Sequence, residues 1–375
     1  MDESAVPVKS RDYQRIHQRI TLFSLVWNPL LLLLLVLTPA SLWIKETASA
    51  AGSQPMTVLA VYFLILSAIL WVVDLPLSFY SGYLIEHRFG LSNQTPAGWI
   101  LFLLKRTALS MALSLALIAG LYALIWHFPD RWWLLAWAAY AVVSFVLGKM
   151  FPVWIVPLFY RYEKVPDEAL RRRIFELTNR YGLPVENLYS LNLSKTTKKA
   201  NAAFMGIGKS KRVVLSDTLL EQFNSEEIET VVAHELGHYK HRDILKQIAL
   251  GSVVSLAGFF LASGMLSKMA GAFGFDGVGD PAAMPLLFLV FSLMGLIWTP
   301  AQSAFSRCLE RAADRFALEA LRAPEVFISC MEKLGRVNLA ETSPHPVYEW
   351  YFYDHPSIPR RIAMARHWDA ENRGG

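Results

Sequence analysis

A stretch of 13 residues that reads "VVAHELGHYKHRD" carries two histidines four positions apart. Residues 224–227 match a capping box, and apolar residues follow at helical spacing, so His234 and His238 should project from one face of a helix. Two imidazoles at this spacing can bind one zinc ion, and Glu235 between them can act as a general base toward water. The pattern therefore predicts a hydrolytic zinc site, and a chance match on an amphipathic helix is the alternative.

A third metal ligand is needed, and the stretch "SRCLERAADRFALEA" offers two carboxylates for it. Glu310 and Asp314 lie four residues apart on a strongly helical pattern, so they share one face. One carboxylate can bind the metal while the other accepts a hydrogen bond from a metal-binding histidine. Taken alone, this stretch is more typical of a salt-bridged helix surface.

The number of ligands separates two classes of protein. A catalytic zinc keeps an open position, whereas a structural zinc is closed by a fourth protein ligand. A transporter or lipid-handling protein with a structural site is therefore the rival interpretation. His241 or His345 would be the fourth ligand in that case.

The composition indicates that this site is held by a membrane protein. Hydrophobic residues make up 54% of the 375 residues, and the mean hydropathy is positive, which is too apolar for ordinary soluble domains. We predict a mainly α-helical, multi-spanning bundle with a membrane domain at residues 1–160 and a zinc peptidase domain at 161–375. Six segments are long and apolar enough to span a bilayer: 21–44, 57–79, 101–126, 131–158, 244–267 and 284–305.

Basic residues orient the bundle. They cluster before the first and third apolar segments and after the fourth, which places both termini and the polar segment in the cytoplasm by the positive-inside rule. They form no run suited to nucleic acid, so no nucleic-acid partner is expected. Only two cysteines, Cys308 and Cys330, are present, which suits a reducing compartment.

The polar segment at residues 160–243 predicts a small α+β insertion. Residues 165–184 have the pattern of an amphipathic helix, and two strand-like stretches follow, "LYSLNLS" and "ANAAFMGIGKSKRVVLSDTLL". The second should contain a hairpin turned at Gly208 to Ser210. This small sheet would stand directly before the helix with the two histidines.

Five ordered motifs together resemble the type I CAAX prenyl proteases, a family of multi-spanning membrane zinc metallopeptidases. They are "EHRFGLSNQT", "NAAFMG" with "KRVVLSDTLL", "HELGHYKHRD", "SRCLERAAD" and "HPSIPRRI". The resemblance covers nearly the whole chain. It implies one zinc ion per chain and a chamber enclosed by helices, with the metal helix counted as a seventh span.

The resemblance also implies roles for individual residues. His234, His238 and Glu310 would bind the zinc ion, and Glu235 would be the general base. Asp314 would accept a hydrogen bond from a metal-binding histidine.

Further roles follow for residues outside the metal set. Asn201 and Ala202 match the strand that such enzymes place along the substrate. His355 would stabilise the oxyanion, and Arg361 would hold a substrate carboxylate or fix that histidine. His345 also precedes an aromatic stretch, so either histidine is a candidate to approach the zinc.

The expected activity is hydrolysis of peptide bonds in membrane-associated or prenylated polypeptides. A quality-control protease for membrane proteins is the nearer alternative. The partners expected are a peptide or lipidated peptide and membrane lipids, and no oligomer is required. The carboxy-terminal "ENRGG" does not resemble an ER retention signal, which favours a bacterial inner membrane, with the ER membrane as the eukaryotic alternative.

Overall fold

A computed structural model of the chain describes residues 6–183, 185, 187–205 and 212–372. Fourteen α-helices are found in these residues: α1 Val6–Leu37, α2 Ala40–Ser49, α3 Pro55–Phe79, α4 Glu86–Arg88, α5 Pro96–His127, α6 Trp132–Met150, α7 Glu168–Arg180, α8 Asp217–Gln222, α9 Ser225–Lys240, α10 Asp243–Met269, α11 Met284–Leu321, α12 Pro324–Val337, α13 Pro346–Phe352 and α14 Ile358–Asn372. Four strands accompany them: β1 Tyr162–Lys164, β2 Asn187–Leu191, β3 Ala202–Met205 and β4 Arg212–Ser216.

The predicted membrane bundle of six spans is confirmed. Six helical segments are long and apolar enough to cross a bilayer: Val8–Leu37, Pro55–Arg88, Pro96–His127, Trp132–Leu158, Asp243–Met269 and Pro281–Leu321. The helix α9, which carries the two histidines, is not among them. Its polar residues keep its composition below that of a membrane span.

The first span differs from the segment predicted at 21–44. The helix α1 begins well before that segment and ends at Leu37, and α2 is a separate helix. Pro39 explains the break, because proline supplies no backbone N–H and disfavours helical geometry at Thr38 before it. Apolar composition alone does not reveal this break, because both sides of it are hydrophobic.

The longest helix, α11, joins the membrane bundle to the site. It runs for 38 residues and contains Pro300 within the helix. Proline removes the hydrogen bond that the carbonyl of Leu296 would otherwise receive. The hydroxyl of Tyr351 donates to that carbonyl at 2.6 Å, so a residue of α13 takes the place of the missing backbone donor.

The polar segment folds into the small α+β unit that its sequence predicts, with four strands in the order β1-β2-β4-β3. The strand β2 is parallel to β4, and the pairs β1–β2 and β3–β4 are antiparallel. The strand β1 was not predicted, because it has only three residues. The predicted hairpin turn at Gly208 to Ser210 lies outside the described residues.

The helix α9 is fixed at its first turn. Asn224 and Glu227 form the predicted capping box, with the Asn224 side chain accepting from the Glu227 N–H. The carboxylate of Glu227 also accepts from Lys333 at 2.8 Å and Ser329 at 3.0 Å, both on α12. These contacts hold the histidine helix against α12 in the hydrophobic core that surrounds the small sheet.

Candidate metal centre and active site

Three side chains from two helices converge on one point. His234 and His238 project from α9, and Glu310 projects from α11, with one ligand atom of each within 4.8 Å of the others. The Nε2 atoms of the two histidines are 3.1 Å apart. The Glu310 carboxylate lies 3.3 Å from the Nε2 of His234 and 3.2 Å from that of His238.

The close approach of α9 and α11 that this requires depends on Gly237. A Cβ atom added there would lie 3.0 Å from the Cα and 3.2 Å from the carbonyl oxygen of Ala313. Both are backbone atoms of α11, so no side-chain rotation can relieve the contact. Gly237 therefore sets how near the histidines come to Glu310.

Each metal-site histidine has a carboxylate on its other ring nitrogen. The Nδ1 of His234 is 2.8 Å from Asp314, and the Nδ1 of His238 is 2.9 Å from Asp243. Because an ionised carboxylate can only accept, we infer that each Nδ1 carries the hydrogen. Both Nε2 atoms then present lone pairs toward the same point, which is the arrangement of a metal-binding pair.

The residues present fit a divalent metal. The buried Oε2 of Glu310 makes no hydrogen bond of normal geometry among the described residues, although it lies 3.3 Å from the Nε2 of His234. Burial alone would lower the pKa of His234, but the hydrogen bond with Asp314 and the adjacent Glu310 carboxylate outweigh this effect and raise the pKa to about 9. The negative charge at this position therefore favours a cation, and two nitrogens with one carboxylate are a donor set suited to zinc.

Asp243 was missed by the sequence analysis. It is the first residue of α10, and it follows Arg242, which has φ of 56° in the left-handed region. This corner turns the chain so that the carboxylate points back at His238. Lys246 also donates to Asp243 at 2.8 Å. No spacing rule for a single helix predicts such a contact, because it crosses the end of α9.

The Arg361 side chain is buried against Asp314, the carboxylate that pairs with the Nδ1 of His234. Its guanidinium contacts both carboxylate oxygens of Asp314, with the Nε donating at 2.8 Å, and its side chain is only 10% exposed. The substrate-carboxylate role predicted for Arg361 does not follow from this geometry. The arginine instead fixes the carboxylate that orients His234.

Of the two histidines left open by the sequence, His355 is the one beside the site. Its Nε2 lies 3.2 Å from Glu310, and its Nδ1 lies 2.8 Å from Asp354. The hydrogen bond to Asp354 raises the pKa of His355 above its ordinary value, and the Glu310 charge adds to this while burial opposes it. His345 is elsewhere: it caps α13 by accepting from the N–H of Val347.

Glu235 lies next to His234 on α9, and the predicted substrate-binding residues Asn201 and Ala202 lie at the start of β3. Glu235 is half-buried and makes no hydrogen bond or ion pair with any residue that the structure describes. Asn201 precedes β3 and Ala202 begins it, and β3 is an edge strand of the sheet. The rings of Phe204 and Tyr239, 5.3 Å apart, tie β3 to α9.

A cavity of about 410 Å³ opens at the metal residues, between α10 and α11. Glu310, Asp354 and His355 are among its lining residues, and its walls combine polar and apolar side chains. The volume is in the range of ligand sites in proteins. The arrangement can therefore hold an extended ligand next to a metal.

The family of the chain follows from comparison with known proteins. A model of peptidase family M48 matches residues 164–369, more than half of the chain, and a model described as the CAAX prenyl protease N-terminal region of five membrane helices matches residues 4–161. The chain belongs to peptidase family M48. This M48 chain is a multi-pass membrane metallopeptidase.

Similarity to individual proteins supports the assignment to this family. An uncharacterised metalloprotease of Bacillus subtilis, YhfN, is 30% identical over 89% of this chain and 79% of its own length. The CAAX prenyl protease 1 of Saccharomyces cerevisiae is 27% identical over 94% of this chain and 84% of its own length. The crystal structure of S. mikatae Ste24p superposes with a TM-score of 0.86 at 26% identity, covering 97% of this chain and 90% of the other.

Proposed function

We propose that this M48 peptidase is a zinc endopeptidase that cleaves membrane-associated or prenylated polypeptides. The observation that carries the proposal is a three-ligand set, His234, His238 and Glu310, of which Glu310 lines a cavity between two membrane helices. Three ligands leave a position open, as catalytic zinc requires. Neither His241 nor His345 belongs to this ligand group within the described residues, which weighs against a closed structural site.

A bound zinc ion would act as a Lewis acid toward the scissile carbonyl and lower the pKa of water. Glu235 takes a proton from the attacking water as the water oxygen bonds to the carbonyl carbon. It then passes that proton to the leaving nitrogen as the C–N bond breaks. The contacts of His355 with Asp354 and Glu310 favour its protonated form, which can donate a hydrogen bond to the carbonyl oxygen as negative charge develops there.

The substrate is held in an extended conformation. An edge strand offers unpaired backbone groups, so a peptide can add to β3 as a further strand beginning near Asn201 and Ala202. Its scissile bond would then lie over the metal ligands of α9, to which β3 is tied. The cavity between α10 and α11 would receive the rest of the peptide.

We place the division between a membrane part and a peptidase part near residue 160, where the two matching family models meet. The basic residues flanking the spans support a cytoplasmic position for the peptidase part. The similarity to YhfN supports a bacterial inner membrane as its location.

The test is cleavage of a farnesylated CAAX peptide and its unprenylated twin by the purified chain in detergent. The Glu235→Gln variant should keep zinc and lose cleavage, because it keeps the ligands and removes the base. The matched control is Glu221→Gln, an exposed carboxylate on α8, which should cleave as the wild type does. Cleavage by the Glu235→Gln variant at the wild-type rate would contradict this mechanism. Equal cleavage of the two peptides would show that the prenyl group is not recognised and would favour a quality-control role.

A further inference from the structure

The short helix α13 has its polar and apolar faces reversed relative to a helix on a soluble protein. Val347 and Trp350 lie three residues apart on one face and are 64% and 56% exposed. Glu349 is only 4% exposed, and its carboxylate accepts hydrogen bonds from the N–H of Ser357 and from Arg360, both at 3.1 Å. A helix facing water would bury its tryptophan and expose its glutamate. The outer face of α13 therefore suits an apolar surrounding.

The level of α13 along the bundle is fixed by the proline in α11. At a rise of 1.5 Å per residue, Leu296 lies about 18 Å along the helix from its beginning at Met284. That depth is inside a hydrocarbon core of about 30 Å. The hydroxyl of Tyr351 reaches the Leu296 carbonyl that Pro300 leaves without a donor. One residue of α13 thus extends to membrane depth.

Other contacts keep the rest of α13 along the same helix. Ser303 donates to the carbonyl of Tyr351 at 3.1 Å, and Arg307 donates to the carbonyls of Glu349 and Tyr353. These partners lie two to three turns beyond Leu296, toward the end of α11 that carries Glu310. The helix α13 therefore lies against α11 around the level at which that helix leaves the bilayer.

A lipid-facing surface of α11 lies at the level where α13 contacts that helix. Leu293 and Ile297 on α11 are 44% and 72% exposed at the level of the Tyr351 contact. Trp350 directly precedes Tyr351, whose hydroxyl contacts the Leu296 carbonyl next to Ile297.

We propose that α13 is a membrane-interface anchor, with Val347 and Trp350 inserted at the boundary between lipid headgroups and acyl chains. A tryptophan is favoured at this boundary because its ring is apolar and its N–H can still reach water or headgroups. The occupant of this face is the bilayer itself, because α13 contacts the membrane-spanning helix α11 at Leu296. Average hydropathy does not detect such a segment, since seven residues cannot span a bilayer.

The anchor has a consequence for the active site. The chain leaves α13 through Tyr353 and reaches Asp354 and His355 within three residues. Arg307 of α11 holds the Tyr353 carbonyl, so this connection is tied to the same helix as Glu310. Insertion of α13 into the bilayer would thereby set the position of His355 relative to the membrane surface.

The experiment is depth-dependent quenching of a fluorophore on single cysteines in vesicles. The background carries Cys308→Ser, because Cys308 is exposed and Cys330 is fully buried. A polarity-sensitive fluorophore is attached at Trp350→Cys, with Ile297→Cys as the lipid-facing control and Glu332→Cys as the exposed control on α12. The purified chain is reconstituted in phosphatidylcholine containing lipids with a nitroxide near the headgroup or near the chain end.

We expect the label at position 350 to emit at shorter wavelength than at 332 and to be quenched more by the shallow nitroxide than by the deep one. Quenching no greater than at 332 would overturn the proposal. A blue-shifted label that neither nitroxide quenches would also overturn it and assign the face to a contact between copies of the chain. If Trp350→Cys does not fold, Val347→Cys on the same face gives the same readout. None of these outcomes depends on peptide cleavage.

Discussion

At the residue scale, each metal-site histidine is oriented by its own carboxylate, and the sequence predicts only one of the two. Asp314 could be predicted because it lies one helical turn from Glu310, so a shared face follows from periodicity. Asp243 could not, because it lies beyond the end of α9. Its contact with His238 depends on the left-handed conformation of Arg242, which no local pattern specifies.

Removing this second carboxylate should weaken metal binding. Without Asp243, the Nδ1 of His238 loses its acceptor, so the imidazole is free to turn or to change tautomer. We expect Asp243→Ala to lower zinc affinity by about 10- to 100-fold. Competition with a chromophoric zinc chelator measures this directly, without reference to peptide cleavage.

The matched control is Asp167→Ala, which removes a carboxylate that caps α7 far from the metal residues. This variant should lose some stability through the lost cap, by about 1 kcal/mol, and keep wild-type zinc affinity. Equal zinc affinity in Asp243→Ala and wild type would show that His238 needs no such partner.

At the element scale, the sequence predicts which helices and strands exist better than it predicts where they begin and end. Long apolar segments reveal the six spans, and the capping box at residues 224–227 places the start of α9. The break between α1 and α2 was missed because Pro39 lies within a continuous apolar run. The strand β1 was missed because three residues carry no usable alternation, and its pairing with β2 is non-local. The contact of α13 with α11 is equally non-local.

The Tyr351 hydroxyl takes the place of a missing backbone N–H, and a double-mutant cycle can test this role. Tyr351→Phe leaves the Leu296 carbonyl unpaired and should cost about 1–3 kcal/mol in the free energy of unfolding. Pro300→Ala restores the backbone N–H, so the same Tyr351→Phe change should cost less in that background. Denaturation in detergent of the wild type, both single variants and the double variant gives the coupling energy. Additive effects would mean that the hydroxyl does not serve this carbonyl.

The contacts of Glu227 that join α9 to α12 should stabilise the fold to an extent that depends on pH. Burial alone would raise the pKa of Glu227, but hydrogen bonds from Lys333, the Asn224 N–H and Ser329 outweigh it and hold the pKa below its ordinary value. A carboxyl with a depressed folded-state pKa stabilises the fold above its unfolded-state pKa, and this is lost as pH falls through the folded-state value. The melting temperature of the wild type should thus exceed that of Glu227→Gln near neutral pH, and the difference should shrink below about pH 4. A difference independent of pH would contradict this linkage.

At the scale of the whole molecule, the metal ligands join two parts of the chain. His234 and His238 belong to the helix that packs on the small sheet, and Glu310 belongs to a helix that begins across the bundle. A metal bound by all three would connect the helix that packs on the small sheet to the last membrane-spanning helix, α11. It stabilises only the state in which both are assembled.

Metal removal should therefore lower the stability of the assembled chain. Ligand linkage gives about 4 kcal/mol for a metal present at 1,000 times its dissociation constant. A chelator should lower the melting temperature of the wild type and leave that of His234→Ala unchanged, because the variant lacks the full ligand set. The same loss in both proteins would indicate that the chelator acts elsewhere.

Gly237 also limits which sequences can keep this site. Helix propensity disfavours glycine in α9 by about 1 kcal/mol relative to alanine, yet a Cβ would lie 3.0 Å from the Cα of Ala313 and would press α9 and α11 apart. A library randomised at this position and selected for zinc retention should return mostly glycine. A library at the exposed Lys240, one turn later, should return nearly every residue type. Mutational tolerance along a single helix would thus change from almost none to almost complete within three residues.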